Sequence, residues 1–204
     1  MSRPQRNQHV RQALLHAGTE LLSEQGYHGT GLKEILTRVN VPKGSFYHYF
    51  SSKEAFTADI ITNYADWLMG LMDAAVAASK ESPRELIRTL YGHMIVEFER
   101  QDCVQGCLLG NLAAEIGAAS KPCQAALQDA YGRWKQRFSV LVADGQQAGQ
   151  FRQDLDADTL SDLFWDTWEG SILRMKLNGS AAPLRRTLNQ LLDNLLAAPA
   201  TQAS

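Results

Sequence analysis

Two short stretches of the chain concentrate residues able to do chemistry. The first is 41–50, VPKGSFYHYF. Lys43 can reach a phosphate or a base edge. Gly44 and Ser45 allow a backbone to approach a rigid partner closely, and Tyr47 and His48 carry hydrogen-bond donors. Phe46 and Phe50 fall on a different face and suit a hydrophobic core. Lys53 lies near the start of the next helix, where free backbone N–H groups already favour an anion. Read by spacing alone, His48 is a surface histidine and Tyr47 a half-buried aromatic.

The second stretch is 106–115, GCLLGNLAAE. Cys107 follows Gly106 at the expected start of a helix, where unpaired N–H groups and the helix dipole favour a thiolate. A thiolate there would add to the β-carbon of an activated alkene or be oxidised to a sulfenic acid. Against this stands the usual role of a free cysteine as a small buried hydrophobe, which spacing alone favours. The three cysteines, Cys103, Cys107 and Cys123, form no disulfide framework. A local bridge between Cys103 and Cys107 is one option, and Cys123 has no assigned role.

A thiol enzyme using Cys107 with His93 as base is a competing reading. His93 falls mid-helix with no orienting acid and no oxyanion element. The chain has no GxSxG, no phosphate-binding glycine loop and no metal-ligand cluster, so neither a cofactor nor a metal is expected.

These residues must be positioned by a helical scaffold. Apolar residues recur at helical spacing over 8–23 (Val10, Leu14, Ala17, Leu21), and Gln25 and Gly26 stop that helix. A second helix is expected over 32–39, ended by Asn40 in a left-handed conformation. Pro42 opens a third in its first turn and Phe50 closes it. A capping box at 51–54 starts a long fourth helix to about residue 78. Further helices are expected over 83–100, 108–117, 122–148, 157–177 and 183–197, with a frayed tail from 199 and no strand. Two short helices joined by 39–42 make a helix-turn-helix pattern, although apolar spacing alone gives only a helical hairpin.

Length and charge fit a two-part chain. The chain has 204 residues, 45% of them hydrophobic, enough for a sizeable core without a metal or disulfide staple. Residues 1–53 hold seven Lys/Arg against three acids, a net +4 within a chain of net −2. A basic N-terminal quarter on an acidic body suggests a polyanion-binding module. The first residues are polar and no apolar run approaches a membrane span, so a cytoplasmic protein with reduced thiols is expected.

The residues 26–30 and Ile35, then 41–50, then Ser52, Lys53 and Glu54, resemble the TetR family of bacterial repressors. The resemblance implies an all-α fold. Residues 1–55 would form a three-helix helix-turn-helix DNA-binding domain, and 56–204 a helical effector-binding and dimerisation domain. It implies that Thr30, Gly31, Lys43, Gly44, Ser45, Tyr47, His48 and Lys53 face double-stranded operator DNA. The family usually has Ser or Thr at the position of Gly31, and Gly and Ser at those of Asn40 and Pro42. The first departure puts one phosphate contact in question.

The stretches 106–115 and 168–177, with Trp134, Phe164 and Trp165, resemble a branch of that family responding to reactive α,β-unsaturated compounds. That likeness implies Cys107 as the sensor of a small electrophile, with Arg174 and Lys176 as electropositive neighbours. If the effector is instead a carboxylate held without a covalent bond, Trp165 or Trp168 would line its pocket. The family's homodimer uses the last two helices. The apolar stripes Leu160, Leu163, Phe164, Thr167, Trp168, Ser171, Ile172, Met175 and Leu184, Leu188, Leu191, Leu192, Leu195 are the expected interface, unless they pack within one subunit. A ligand-released repressor is thus expected, with the thiol enzyme and a non-specific nucleic-acid binder as alternatives.

Overall fold

The computed structural model describes residues 3–198, with side chains from residue 7 onward. The elements are α1 (Arg3–Gly29), α2 (Leu32–Arg38), α3 (Lys43–Phe46), α4 (Lys53–Ala78), α5 (Pro83–Arg100), α6 (Leu108–Ile116), α7 (Lys121–Gln147), α8 (Ala157–Asn178) and α9 (Ala182–Gln190). A π-helical turn, Leu191–Leu195, continues α9. Among the described residues the only strand-like pairing is an isolated antiparallel bridge between Phe151 and Ala197. The all-α expectation holds. The tail expected from 199 lies outside the described residues.

The chain divides into two compact units, Met1–Leu68 with Cys107–Tyr131, and Met69–Gly106 with Gly132–Ser204. By packing, the first unit therefore takes α6 and the start of α7 alongside the N-terminal helices. The expected boundary after residue 55 does not coincide with these packing units.

In the first unit the α1 stripe Leu14, Leu15, Ala17, Leu21 and Leu22 is buried, as its spacing predicts. Gly18 lets α1 close onto α4. A Cβ there would stand 2.5 Å from Phe56 Cζ and 2.6 Å from Ile60 Cδ1. α1 outruns its expected end, but Gly26 breaks it (φ 73, ψ −179), where the sequence places a stop. The last turn follows the break.

α2 starts on Gly31 as N-cap, with no side chain to accept from its first N–H groups. Asn40 ends the segment at φ 52. Pro42 is the residue before α3 rather than in its first turn, and α3 is only four residues long. The expected third helix to Phe50 is thus shortened. His48 and Tyr49 donate to carbonyls three residues back, Ser45 and Phe46, so the chain tightens into turns. Phe46 and Phe50 nonetheless point inward, meeting Phe56 with ring centroids 5.4 and 4.7 Å away. Burying such rings stabilises the short element by about 1.5–3 kcal/mol each. The cap of α4 is Ser52, not Ser51: its Oγ accepts from the Ala55 N–H at 3.1 Å.

In the second unit α5 is capped by Ser82 with Pro83 in its first turn, and α8 by Asp156, which accepts from the Thr159 N–H. Gly179 ends α8 at φ 58. The core joins Ile87, Tyr91 and Ile95 of α5, Trp134 and Phe138 of α7, and Phe164, Trp168 and Ile172 of α8. Leu184, Leu188, Leu191 and Leu192 are buried as well. This corrects the expected dimer stripes: most of their residues fill the subunit's own core. The apolar residues left exposed on α8 are Leu163, Leu173 and Leu177, the last 84% exposed.

Candidate nucleic-acid interface and effector elements

The segment from Pro42 to Phe50 separates cleanly into two faces. Phe46 is fully buried, while Lys43, Gly44 and His48 are exposed and Tyr47 is 54% exposed. Ser45 is half-buried. The expectation that Tyr47 is half-buried is thus replaced by an outward ring, braced edge-on against Phe46 at 5.4 Å. A Cβ on Gly44 would meet nothing within 4 Å, so the backbone there is open to a large partner. Gly31 is equally open.

A shallow groove of about 390 Å³ runs between α2 and the approach to α3, lined by Lys33, Leu36, Thr37, Asn40, Val41, Pro42 and Lys43. Lys33 and Thr37 are exposed and belong to the same surface as Lys43. Lys33 is one of the seven basic residues of the N-terminal quarter. Its helical position, on the side of α2 away from the buried Ile35, was the available signal.

One expected phosphate contact, that of Thr30, is corrected, and Lys53 is engaged within the protein in the absence of DNA. Thr30 is 1% exposed, and its hydroxyl is turned inward, within 2.7 Å of the Gly26 carbonyl and 3.1 Å of the Leu21 carbonyl. It closes the turn after α1 and its hydroxyl does not face solvent. Lys53 Nζ donates to the Tyr27 carbonyl at 2.6 Å and sits 4.0 Å over the Tyr27 ring. Burial lowers the Lys53 pKa, while the nearby carboxylates Glu54 and Glu115 raise it. The Glu54 carboxyl lies below its usual range, held by backbone N–H and by Ser52, with a further hydrogen bond from Tyr27.

Cys107 is the N-cap residue of α6, as the sequence places it, and is 8% exposed. Its carbonyl accepts from the Asn111 N–H at 2.9 Å. Cys123 is fully buried in the same unit, with its thiol 3.5 Å from the Glu54 carbonyl oxygen. Burial raises the pKa of Cys123. Cys103, in the second unit, is raised by burial and then by the charges of Glu99 and Asp102. No disulfide joins the three.

The other expected effector residues lie on α8. Trp168 is 2% exposed and meets Tyr91 edge-on at 4.8 Å. Its indole N–H is buried with no acceptor among the described residues. Trp165 is half-buried, its ring 4.6 Å from that of Trp134, whose own N–H donates to the Tyr91 hydroxyl. Arg174 and Lys176 are exposed. Trp165 and Trp168 thus share an aromatic cluster that the two cations do not join by burial.

Residues 14–60 match the family described as "Bacterial regulatory proteins, tetR family", and residues 83–191 match "Tetracyclin repressor-like, C-terminal domain". The chain belongs to the TetR family. It is 40% identical over 174 residues to the transcriptional regulator AcuR of Cereibacter sphaeroides, covering 85% of this chain and 79% of that protein. It is 33% identical to the HTH-type transcriptional repressor DhaR of Mycobacterium sp. strain GP1, covering 95% and 94%. Among solved structures, a regulatory protein from Rhodobacter sphaeroides superposes with TM-score 0.84 at 36% identity, covering 90% of this chain and 97% of that one. The reduced form of Escherichia coli NemR superposes with TM-score 0.85 at 27% identity, covering 94% and 98%.

This TetR-family regulator thus belongs with the AcuR, DhaR and NemR branch, and it is a DNA-binding transcriptional regulator rather than an enzyme. Among the described residues no group of side chains could hold a metal ion. No described helix is long and apolar enough to cross a membrane.

Proposed function

We propose that the protein is a homodimeric repressor whose operator affinity falls when a small electrophile adds to Cys107. The Cys107 position at the N-cap of α6 carries this reading, because the first-turn N–H groups and the helix dipole stabilise a thiolate there. Cys103 and Cys123 are held toward the thiol form by burial, and neither caps a helix. In the addition, the thiolate sulfur bonds to the β-carbon of an α,β-unsaturated carbonyl. The C=C π bond opens, and the α-carbon takes a proton from water. No oxidant is needed. Relatives named as repressors, DhaR and NemR, support repression over activation.

Lys43, Gly44, Ser45, Tyr47 and His48 read the operator, with Lys33 and Thr37 beside them on the same surface. The Gly31 backbone supplies a phosphate donor in place of a side chain. A second copy docks on the α8 face bearing Leu163, Leu173 and Leu177, and the pair reads half-sites about one helical turn apart. A coupling of about 1–3 kcal/mol between effector and DNA suffices for a several-fold to hundredfold loss of affinity.

The test is operator affinity before and after treatment with acrylate or a quinone, in wild type and Cys107→Ser. The wild type should lose affinity and the variant should not. An unaltered response in Cys107→Ser would remove the covalent mechanism.

The unpaired Trp168 indole N–H favours a second reading, an acceptor-bearing effector such as a carboxylate held by that N–H. A saturated carboxylate, which cannot alkylate a thiol, separates the two. Release of DNA by propionate, lost in Trp168→Phe, would favour the non-covalent route.

A further inference from the structure

We infer that Glu115 is the positioning residue through which α6 sets the DNA-binding helices. α1 breaks at Gly26, and beyond the break the His28 N–H donates to Glu115 Oε2 at 3.1 Å. A Cβ at position 26 would lie 2.3 Å from Glu115 Oε1, so a glycine is needed there both for its φ of 73° and for room beside the carboxylate. α6 thus reaches the DNA-binding helices at a place where their backbone is irregular and its N–H groups are available.

The surroundings of this contact make it a junction. Tyr27, between Gly26 and His28, accepts from Lys53 through its carbonyl and donates its hydroxyl to Glu54, so the start of α4 is held by the same turn. Thr30 closes the turn onto the Gly26 carbonyl at 2.7 Å. The next residue, Gly31, caps α2, which leads to α3. The position of one carboxylate therefore bears on α1, α2 and α4 together.

α6 is nine residues long with Cys107 as its cap, and Glu115 lies on its last turn. At about 1.5 Å rise per residue the two are roughly 12 Å apart along a short rod that moves as one body. A shift at Cys107 displaces the carboxylate from the His28 N–H. That an effector drives this shift rests on the proposed role of Cys107. That Glu115 ties α6 to the DNA-binding helices does not.

Coupling is reciprocal, so DNA bound at α3 must restrain α6 if the tie transmits. The experiment measures amide hydrogen exchange in 108–116 with and without a duplex selected by the wild-type protein from a random-sequence pool. In wild type, saturation with duplex should slow exchange in α6 about tenfold, the scale of one charge-assisted hydrogen bond. Glu115→Ala, saturated with the same duplex and checked for folding by its melting curve, should show no slowing. Glu115→Gln keeps a neutral acceptor and should lie between, and it provides the comparison should the alanine variant not fold or bind. Equal slowing in wild type and variants, or none in wild type, overturns the inference. Acrylate is assayed separately: if it leaves wild-type DNA affinity unchanged, the Cys107 reading fails while the exchange result still decides the role of Glu115.

Discussion

The Lys53 ammonium lies 2.6 Å from the carbonyl oxygen of Tyr27 and 4.0 Å from the centroid of the Tyr27 ring. The cation that the family pattern assigns to a phosphate is, without DNA, closing the first unit on itself. Lys53→Met keeps the aliphatic stem and removes the donor and the charge. It should cost about 1–2 kcal/mol in urea denaturation, from the lost hydrogen bond and cation–π contact. If Lys53 also exchanges onto a phosphate, the same variant loses duplex affinity and its salt dependence becomes shallower. A variant that is destabilised but binds the duplex with wild-type affinity would make Lys53 purely structural.

Tyr27 gives the protein an alkaline liability. Its phenol is raised from the usual 10.0 to about 12, first by burial, then by the negative charges of Glu54 and Cys123 and by the hydrogen bond to Glu54. The folded state keeps a proton that the unfolded chain releases near pH 10. The contribution is therefore complete below pH 10 and is lost as pH rises through about 12. The expected loss is on the order of 1–3 kcal/mol. Tyr27→Phe has no phenol to titrate, so its stability should fall less steeply than wild type over this window. Denaturant midpoints at a series of pH values provide the comparison, and parallel curves for the two proteins would refute it.

Gly26→Ala tests the junction from the other side. The backbone at φ 73 and ψ −179 lies in a region open essentially only to glycine, and forcing a Cβ into it costs about 1–3 kcal/mol. The new methyl would also press on the Glu115 carboxylate. In the double variant with Glu115→Ala the steric part disappears and the conformational part remains. The two substitutions should thus be non-additive, with the double variant more stable than the sum predicts. Strict additivity in thermal or urea unfolding would mean that the carboxylate does not bear on this turn.

What the sequence made legible follows from the range of the interactions involved. Periodicity placed Phe46 and Phe50 inward because the burial of a helical face depends on local spacing alone. Asn40 was readable as a left-handed stop, and Cys107 as a helix start, for the same reason: each depends on its immediate neighbours. The Glu115 contact with His28 spans 87 positions, and nothing in either local pattern announces it. Thr30 turns inward and Lys53 rests on a carbonyl in the absence of DNA, contacts the local pattern could not show because a hydroxyl or ammonium can serve phosphate or a carbonyl equally well. Only the tertiary structure shows the carbonyls of Leu21, Gly26 and Tyr27 within reach. The stripes on α8 and α9 had the right period but no label for their partner, and the core claimed most of their residues before a second subunit could.

The two faces of 42–50 make a last prediction about which substitutions separate DNA reading from folding. Lys43 is exposed at the start of α3 and borders the groove with Lys33, so Lys43→Ala should leave the melting temperature unchanged. If its ammonium meets a phosphate, the variant binds all duplexes more weakly. The slope of log K against log salt then falls by about 1. Tyr47, 54% exposed, should behave differently. If it contacts the bases, Tyr47→Phe lowers affinity for the selected duplex more than for an unrelated one, with little change in the salt slope. Phe46→Ala should instead unfold the segment, because it removes a fully buried ring at about 3–5 kcal/mol. Fluorescence anisotropy over a salt series, paired with thermal melts, distinguishes the three behaviours. A Lys43→Ala variant with an unchanged salt slope would place that lysine off the DNA, and Lys33 would then be the cation to test at the same groove.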